Sequence, residues 1–238
     1  MDNPIMLATT IMILLPLIGS LAAGLLGKQL GRTAAHRIAI TCVGAAFAIA
    51  CWLFYSIVIN NQPPVDETAY VWATAGNLQF AVGFLVDRLS VAMSVIVLFV
   101  SFMVHIYTIG YMHDDPGYTR FFSYVSLFTF AMLTLVMGNN FLLLFFGWEG
   151  VGLVSYLLIG FWFKRESAVQ GSLKAFLVNR IGDIGFLLAI AAVLMHFCSI
   201  TYSEVFQQVS FVVNKTMFLF PNYPVPVITV ICILLFLG

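Results

Sequence analysis

Glu149 is the sole charged residue in the apolar run Phe141–Phe163, and the next run, Ala168–Phe197, carries Lys174, Arg180, Asp183 and His196. His105 stands in a third such run, Leu89–Tyr111. These types at membrane depth suggest proton handling. A buried lysine loses proton affinity through desolvation and regains it when a carboxylate lies close. A Lys/carboxylate pair therefore loads and unloads protons as its partner moves. Because ionisable groups in hydrocarbon are costly, they face a protein interior or a water path and mark functional sites by default.

Spacing says which of these groups can meet. Glu149 lies thirteen residues before Trp162, about 20 Å from that end of its helix, and Arg180 lies twelve residues after Ala168, about 18 Å in. The short link Lys164–Ser167 makes the two helices antiparallel neighbours, so a Glu149–Arg180 ion pair is geometrically possible. Asp183, three residues after Arg180, is also within its reach. At about 100° per residue, Asn179, Arg180 and Asp183 share one face while Lys174 and Gln170 fall almost opposite. A helix with two polar sides is expected to be enclosed by other helices or by water. Arg180 and Asp183 can equally be a structural pair supplying each other's countercharge. Lys174, about 9 Å in, can partly snorkel. His105 reads either as a proton relay or as a packing donor. His196 falls at the outer end of its helix, and Asp87-Arg88 reads as a charge pair near the outer surface.

The elements that must position these groups are membrane spans. Of the 238 residues, 62% are hydrophobic and 8% charged, with a mean hydropathy of +1.03, whereas a soluble domain carries about 25% charged residues. Ten basic and ten acidic residues cancel, which leaves no polyanion-binding character. Runs near the 20 residues a span needs are Ile5–Leu26, Ile38–Ile59, Leu89–Tyr111, Phe121–Met137, Phe141–Phe163 and Ala168–Phe197. A last run, Val225–Gly238, is short, and the chain reads as truncated there. The fold class is all-α, a polytopic transmembrane bundle of six complete spans and a truncated seventh. Loops after spans one, three and five hold Lys28, Arg32, Arg37, Arg120, Lys164 and Arg165. Those after spans two, four and six hold only Lys215, with Arg88 counted at the start of span three. The positive-inside bias places the N-terminus outside the cytoplasm.

Outer loop 60–83 suggests a short hairpin around Leu78–Val82, and Ser203–Val209 an interfacial helix capped by Ser203. Gly19, Ala23 and Gly27 read as helix packing, whereas Gly147, Gly150 and Gly152 around Glu149 serve close packing or leave room for water. Cys42, Cys51, Cys198 and Cys232 sit in apolar runs without C-x-x-C spacing, which argues against zinc, iron–sulfur or disulfide roles; they read as small core residues.

The segments Phe84-Leu85-Val86-Asp87-Arg88-Leu89-Ser90, Gly110-Tyr111-Met112 and Tyr118-Thr119-Arg120-Phe121-Phe122, then Asn139-Asn140-Phe141-Leu142, Gly147-Trp148-Glu149-Gly150-Val151-Gly152-Leu153 and Ser155–Gly160, then Lys174-Ala175-Phe176 and Asn179–Asp183, resemble the subunit L family. This is the antiporter-like membrane subunit of proton-translocating NADH–quinone oxidoreductase, respiratory complex I. The resemblance spans essentially the whole chain and implies its N-terminal part. Residues 1–137 would form spans one to four and residues 138–238 the start of the proton-channel half.

It further implies a non-redox subunit of an oxidoreductase in an energy-transducing membrane, such as a bacterial inner membrane. Proton translocation would run through Glu149, Lys174, Arg180, Asp183 and His105. No cofactor would lie in this chain, and NADH, flavin, iron–sulfur clusters and quinone would be held by partner subunits. In the family, the carboxylate at the position of Glu149 tunes a seventh-helix lysine, which is expected beyond Gly238. The alternative is the large subunit of a multisubunit sodium/proton antiporter. A third class is a scaffold in which the charges only pin helices.

Overall fold

The computed structural model describes residues 3–76, 78–220 and 223–238. Apolar runs bounded by asparagine, glycine and proline become helices α1 (Pro4–Leu25), α2 (Gly27–Phe54), α3 (Arg88–Tyr111), α4 (Tyr118–Met137), α5 (Phe141–Ile159), α6 (Glu166–Phe197), α7 (Tyr202–Val212) and α8 (Val227–Leu237). Six of them, with α2 extended by a π-helical turn over Tyr55–Ile59, are long and apolar enough to cross a membrane, where internally bonded helices satisfy every backbone group. The molecule is a multi-pass membrane helix bundle.

The expected spans recur with shifted ends. The second helix begins eleven residues early, at Gly27, broken where Gly31 takes φ 80° and ψ 166°; that left-handed backbone is open to glycine and strained for other residues. The fifth stops at Ile159 rather than Phe163, because Gly160 closes it and residues 161–165 turn back. Asp87 and Arg88 are not paired with each other. Asp87 caps α3 in a reciprocal box with Ser90, and Arg88 donates to Asn61 Oδ1 at 2.8 Å. The interfacial helix is present as α7, but Thr201 rather than Ser203 stands at its cap, without a side-chain hydrogen bond.

Strands join the helices at one end. β1 (Val65–Ala75) and β2 (Leu78–Val86) form an antiparallel hairpin longer than its alternating core suggested, and β3 (Thr216–Phe220) pairs with β4 (Tyr223–Pro226) just before α8. The first hairpin lies over the α4–α5 connection. Phe84 bridges to Gly138, while Asn140 bridges to Thr201 at the start of α7. This hairpin end lies opposite a basic end, where the α1–α2, α3–α4 and α5–α6 turns gather. Gly19 and Gly27 let helices approach as expected: a Cβ at Gly19 would meet Ala39 and Cys42 at 3.3 Å, and one at Gly27 would meet Thr119 at 2.9 Å.

The cysteines are not core residues. Cys51, Cys198 and Cys232 are exposed and Cys42 half-buried. In lipid an apolar side chain gains nothing by turning inward, so an apolar context marks depth but not orientation.

Candidate functional site

α5 and α6 descend antiparallel from the turn 160–165, and their facing sides carry opposite charges. Arg180 on α6 places one guanidinium nitrogen 2.5 Å from Glu149 Oε2 on α5 and the other 3.3 Å from Asp183 Oδ2 one turn along its own helix. The later start of the turn changes the depths. Glu149 lies ten residues from Ile159, about 15 Å, and Arg180 fourteen from Glu166, about 21 Å. The non-helical turn makes up the difference.

The cluster lies largely within protein. Side-chain exposures are 21% for Glu149, 38% for Arg180 and 7% for Asp183. The Phe176 ring covers the Arg180 guanidinium at 4.8 Å, a cation–π contact that holds the charge without neutralising it. Two carboxylates and one guanidinium leave one excess negative charge, which one proton neutralises. Glu149 Oε1, Arg180 Nε and Asp183 Oδ2 are buried without a hydrogen-bond partner; the 3.3 Å approach is close enough for an ion contact but not aligned as a hydrogen bond. Buried polar atoms are normally paired, so these orphans leave the cluster room to bind a proton or water.

The glycines around Glu149 serve packing. A Cβ at Gly147 would come within 2.6 Å of the Leu135 backbone and one at Gly150 within 3.1 Å of Ala131, both on α4, while Gly152 faces Asn179 Nδ2 at 3.5 Å. On the far side of α6, Gly182 and Gly185 admit the end of α8, with the Gly238 and Leu234 carbonyls at 3.2 and 3.3 Å from their Cβ positions. α5 is thus wedged between α4 and α6, and α8 backs the arginine helix.

Two predicted residues stand apart from this cluster. Lys174 is exposed and among the described residues forms no ion pair. It shares a bare face of α6 with Leu173, Leu177, Val178, Ile181 and Ile184. Within this chain α6 packs mainly on α5, α7 and α8, so the expected enclosure on all sides is not seen. His105 is fully buried between α3 and α4. Its Nδ1 lies 2.8 Å from the Ser101 carbonyl and its Nε2 2.9 Å from Ser126 Oγ, and Ser101 Oγ lies 2.5 Å from Thr129 Oγ1. None of these partners belongs to α5 or α6. His196 is half-buried near the hairpin end of α6.

A second polar cluster was not identified as such from sequence. Asn140 accepts from the Leu143 N–H at 2.8 Å and so caps α5, and it donates to the Ala81 carbonyl and to Asn139 Oδ1. Asn139 donates to Asp66 Oδ1 at 2.8 Å, and its backbone bonds Gly83 and Tyr202. A Cβ at Gly83 would meet Asn139 Nδ2 at 2.5 Å, so glycine there gives the asparagine its place. The available signal was an asparagine directly before an apolar run, which marks a helix cap.

A multi-pass helix bundle with a charge cluster between two antiparallel spans is a membrane protein with a candidate functional site at bilayer depth. Residues 72–122 match the family model for the N-terminus of chain 5 of NADH-ubiquinone oxidoreductase (complex I), and residues 138–234 the model for the transmembrane region of NADH:quinone oxidoreductase and Mrp antiporter subunits. The chain belongs to this family of antiporter-like membrane subunits.

It is 54% identical over 230 residues to NADH-quinone oxidoreductase subunit L of Neisseria meningitidis serogroup B, covering 96% of this chain and 34% of that one. It is 44% identical over 229 residues to NADH-ubiquinone oxidoreductase chain 5 of Marchantia polymorpha, again covering 96% of this chain and 34% of that one. The chain therefore spans about a third of the length of the curated relatives it matches. Its fold is shared with a chain of the archaeal membrane-bound sulfane sulfur reductase complex at a TM-score of 0.78 and 17% identity, covering 97% of this chain and 43% of that one. A chain of the Mrp complex from Dietzia gives 0.73 and 22%, covering 98% and 23%.

Proposed function

We propose that this chain forms part of a proton-translocating membrane subunit of NADH–quinone oxidoreductase. The subunit couples NADH oxidation and quinone reduction in partner chains to proton movement through the Glu149–Arg180–Asp183 cluster. The carrying observation is one guanidinium shared by two carboxylates between antiparallel spans, with an excess negative charge and orphaned polar atoms. When Arg180 shifts its weight from one carboxylate to the other, the carboxylate it leaves loses its countercharge and takes up a proton. Lys174, on the bare face of α6, supplies a further proton group toward a neighbouring segment. His105 and its hydroxyl partners supply a relay between α3 and α4.

Redox chemistry belongs to partner subunits holding flavin, iron–sulfur clusters and quinone, so this chain is a non-redox member of the enzyme. Its setting is a bacterial inner membrane or its energy-transducing equivalent, among other membrane-arm subunits. The loop charges support an outer N-terminus and a cytoplasmic basic end. The start of the second family match at residue 138 supports a division into 1–137 and 138–238.

The shared family model and the Mrp-like fold favour one second reading, the large subunit of a sodium/proton antiporter. Gentle-detergent purification with mass spectrometry of co-purifying chains separates the two. Flavin- and cluster-bearing partners are expected; antiporter subunits without redox chains would overturn the proposal.

A further inference from the structure

At the basic end, the close of α1, the start of α4 and the α5–α6 turn enclose a cavity of about 750 Å3. The end of α1 and the start of α2 are drawn against α4 there by Gly24 and Gly27, which face Ser123 and Thr119. Four cationic side chains line the cavity, Lys28, Arg120, Lys164 and Arg165, against one carboxylate, Asp115. That carboxylate is already engaged: Trp162 Nε1 donates to Oδ2 at 2.9 Å and the Gly117 N–H to Oδ1 at 2.7 Å. Among the described residues none of the four cations forms an ion pair.

Arg120 is the most constrained of them. Its guanidinium lies 4.6 Å from the centre of the Phe161 ring and 5.3 Å from that of Phe163. One terminal nitrogen donates to the Phe161 carbonyl at 3.2 Å, while Nε is buried without a partner. A planar guanidinium held in place by stacking is suited to phosphate oxyanions. A second cleft of about 320 Å3 opens from the same arginine and runs past Leu157 and Val169 between α5 and α6. Tyr124 and Trp162 also line the cavity, and rings of these types anchor among headgroups at a membrane boundary.

We propose that this basic cavity binds the phosphate of an anionic phospholipid, with an acyl chain entering the adjoining cleft. Free phosphate offers the same oxyanion chemistry but no use for an apolar cleft opening beside it at the membrane boundary. The lipid would brace the α5–α6 turn, from which the two charge-bearing helices descend. The proposal needs only that the spans cross a bilayer, and it stands whether or not the chain moves protons.

The test uses the full-length subunit in its native complex, in phosphatidylcholine nanodiscs containing a small fraction of photoactivatable phosphatidylglycerol, followed by peptide mapping of the label. Labelling of residues 157–169 is expected. A basic residue near an anionic headgroup strengthens binding about fivefold, so Lys164→Gln with Arg165→Gln lowers labelling about 25-fold. Both side chains are exposed, which keeps folding out of the comparison, and Arg120→Gln provides an independent fall of about fivefold. Lys215→Gln, from the hairpin end, leaves labelling unchanged. Equal labelling in the basic-cavity variants would overturn the proposal. So would displacement by millimolar inorganic phosphate as effective as by unlabelled phosphatidylglycerol, which assigns the site to the free ion. Crosslinking of Lys164 to an acidic segment of a neighbouring subunit, with no lipid label, would overturn it in favour of a protein partner.

Discussion

α5 is held by two buried polar clusters of opposite character. At its start, Asn139 and Asn140 form an amide cluster with the hairpin, including the Asp66 carboxylate, and with α7, and no atom of either asparagine side chain is left buried without a partner. In its middle, Glu149 joins a charged cluster in which three buried atoms have no partner. A fully satisfied network gains nothing by accepting another group and so fixes geometry. A net-charged, partly satisfied one keeps capacity for a proton. The first positions the helix, and the second is the proposed proton site.

This contrast breaks most severely at Arg180. Arg180→Ala leaves two carboxylates facing each other without a countercharge, a loss of about 3 kcal/mol. A marked fall in the subunit's thermal midpoint is expected, with Arg180→Lys recovering part of it. Gly147→Ala comes next. Its Cβ would sit 2.6 Å from the Leu135 backbone and wedge α4 from α5 at about 2 kcal/mol, seen as reduced assembly in blue-native gels. Asn139→Ala removes the donation to Asp66 and costs about 1 to 2 kcal/mol. It lowers the thermal midpoint but leaves proton transfer per assembled complex unchanged, which sharpens the division between the clusters.

The smallest effect lies at the basic end. The Trp162 indole N–H, helped by the Gly117 N–H and by Arg120 and Arg32, holds the Asp115 carboxyl below its usual range. A depressed folded value contributes stability that is complete above the unfolded value, about 4, and is lost as pH falls through the folded one. The fluorine NMR signal of 5-fluorotryptophan at position 162 should therefore hold steady down to about pH 4 and shift only below it.

Sequence reasoning reached the charged cluster because hydrocarbon makes it legible. A lone Glu149 in an apolar run cannot be a surface residue, and depth arithmetic from a short turn set it opposite Arg180. The asparagine cluster escaped because its partners Asp66, Ala81 and Gly83 lie far away in sequence, and nothing in an asparagine pair states which strand will cover it. The hairpin was underestimated because β1 carries Asp66, Glu67 and Thr68 among its strand residues, so alternation appears only in β2. Arg120 counted only as a loop charge, since stacking between Phe161 and Phe163 depends on where α5 turns. The bare face of α6 has the same origin: helical phasing shows that two sides are polar, not what covers each.

The central claim, that the Glu149–Arg180–Asp183 cluster carries protons while the asparagine cluster only positions the helix, is tested most directly with Glu149→Gln in the assembled complex. NADH-driven proton pumping is measured in inverted membrane vesicles alongside Asn139→Ala. Weakened pumping by Glu149→Gln at normal assembly, with Asn139→Ala pumping normally per assembled complex, is the expected result. Undiminished pumping by Glu149→Gln, or a loss that only parallels a loss of assembly, would contradict it.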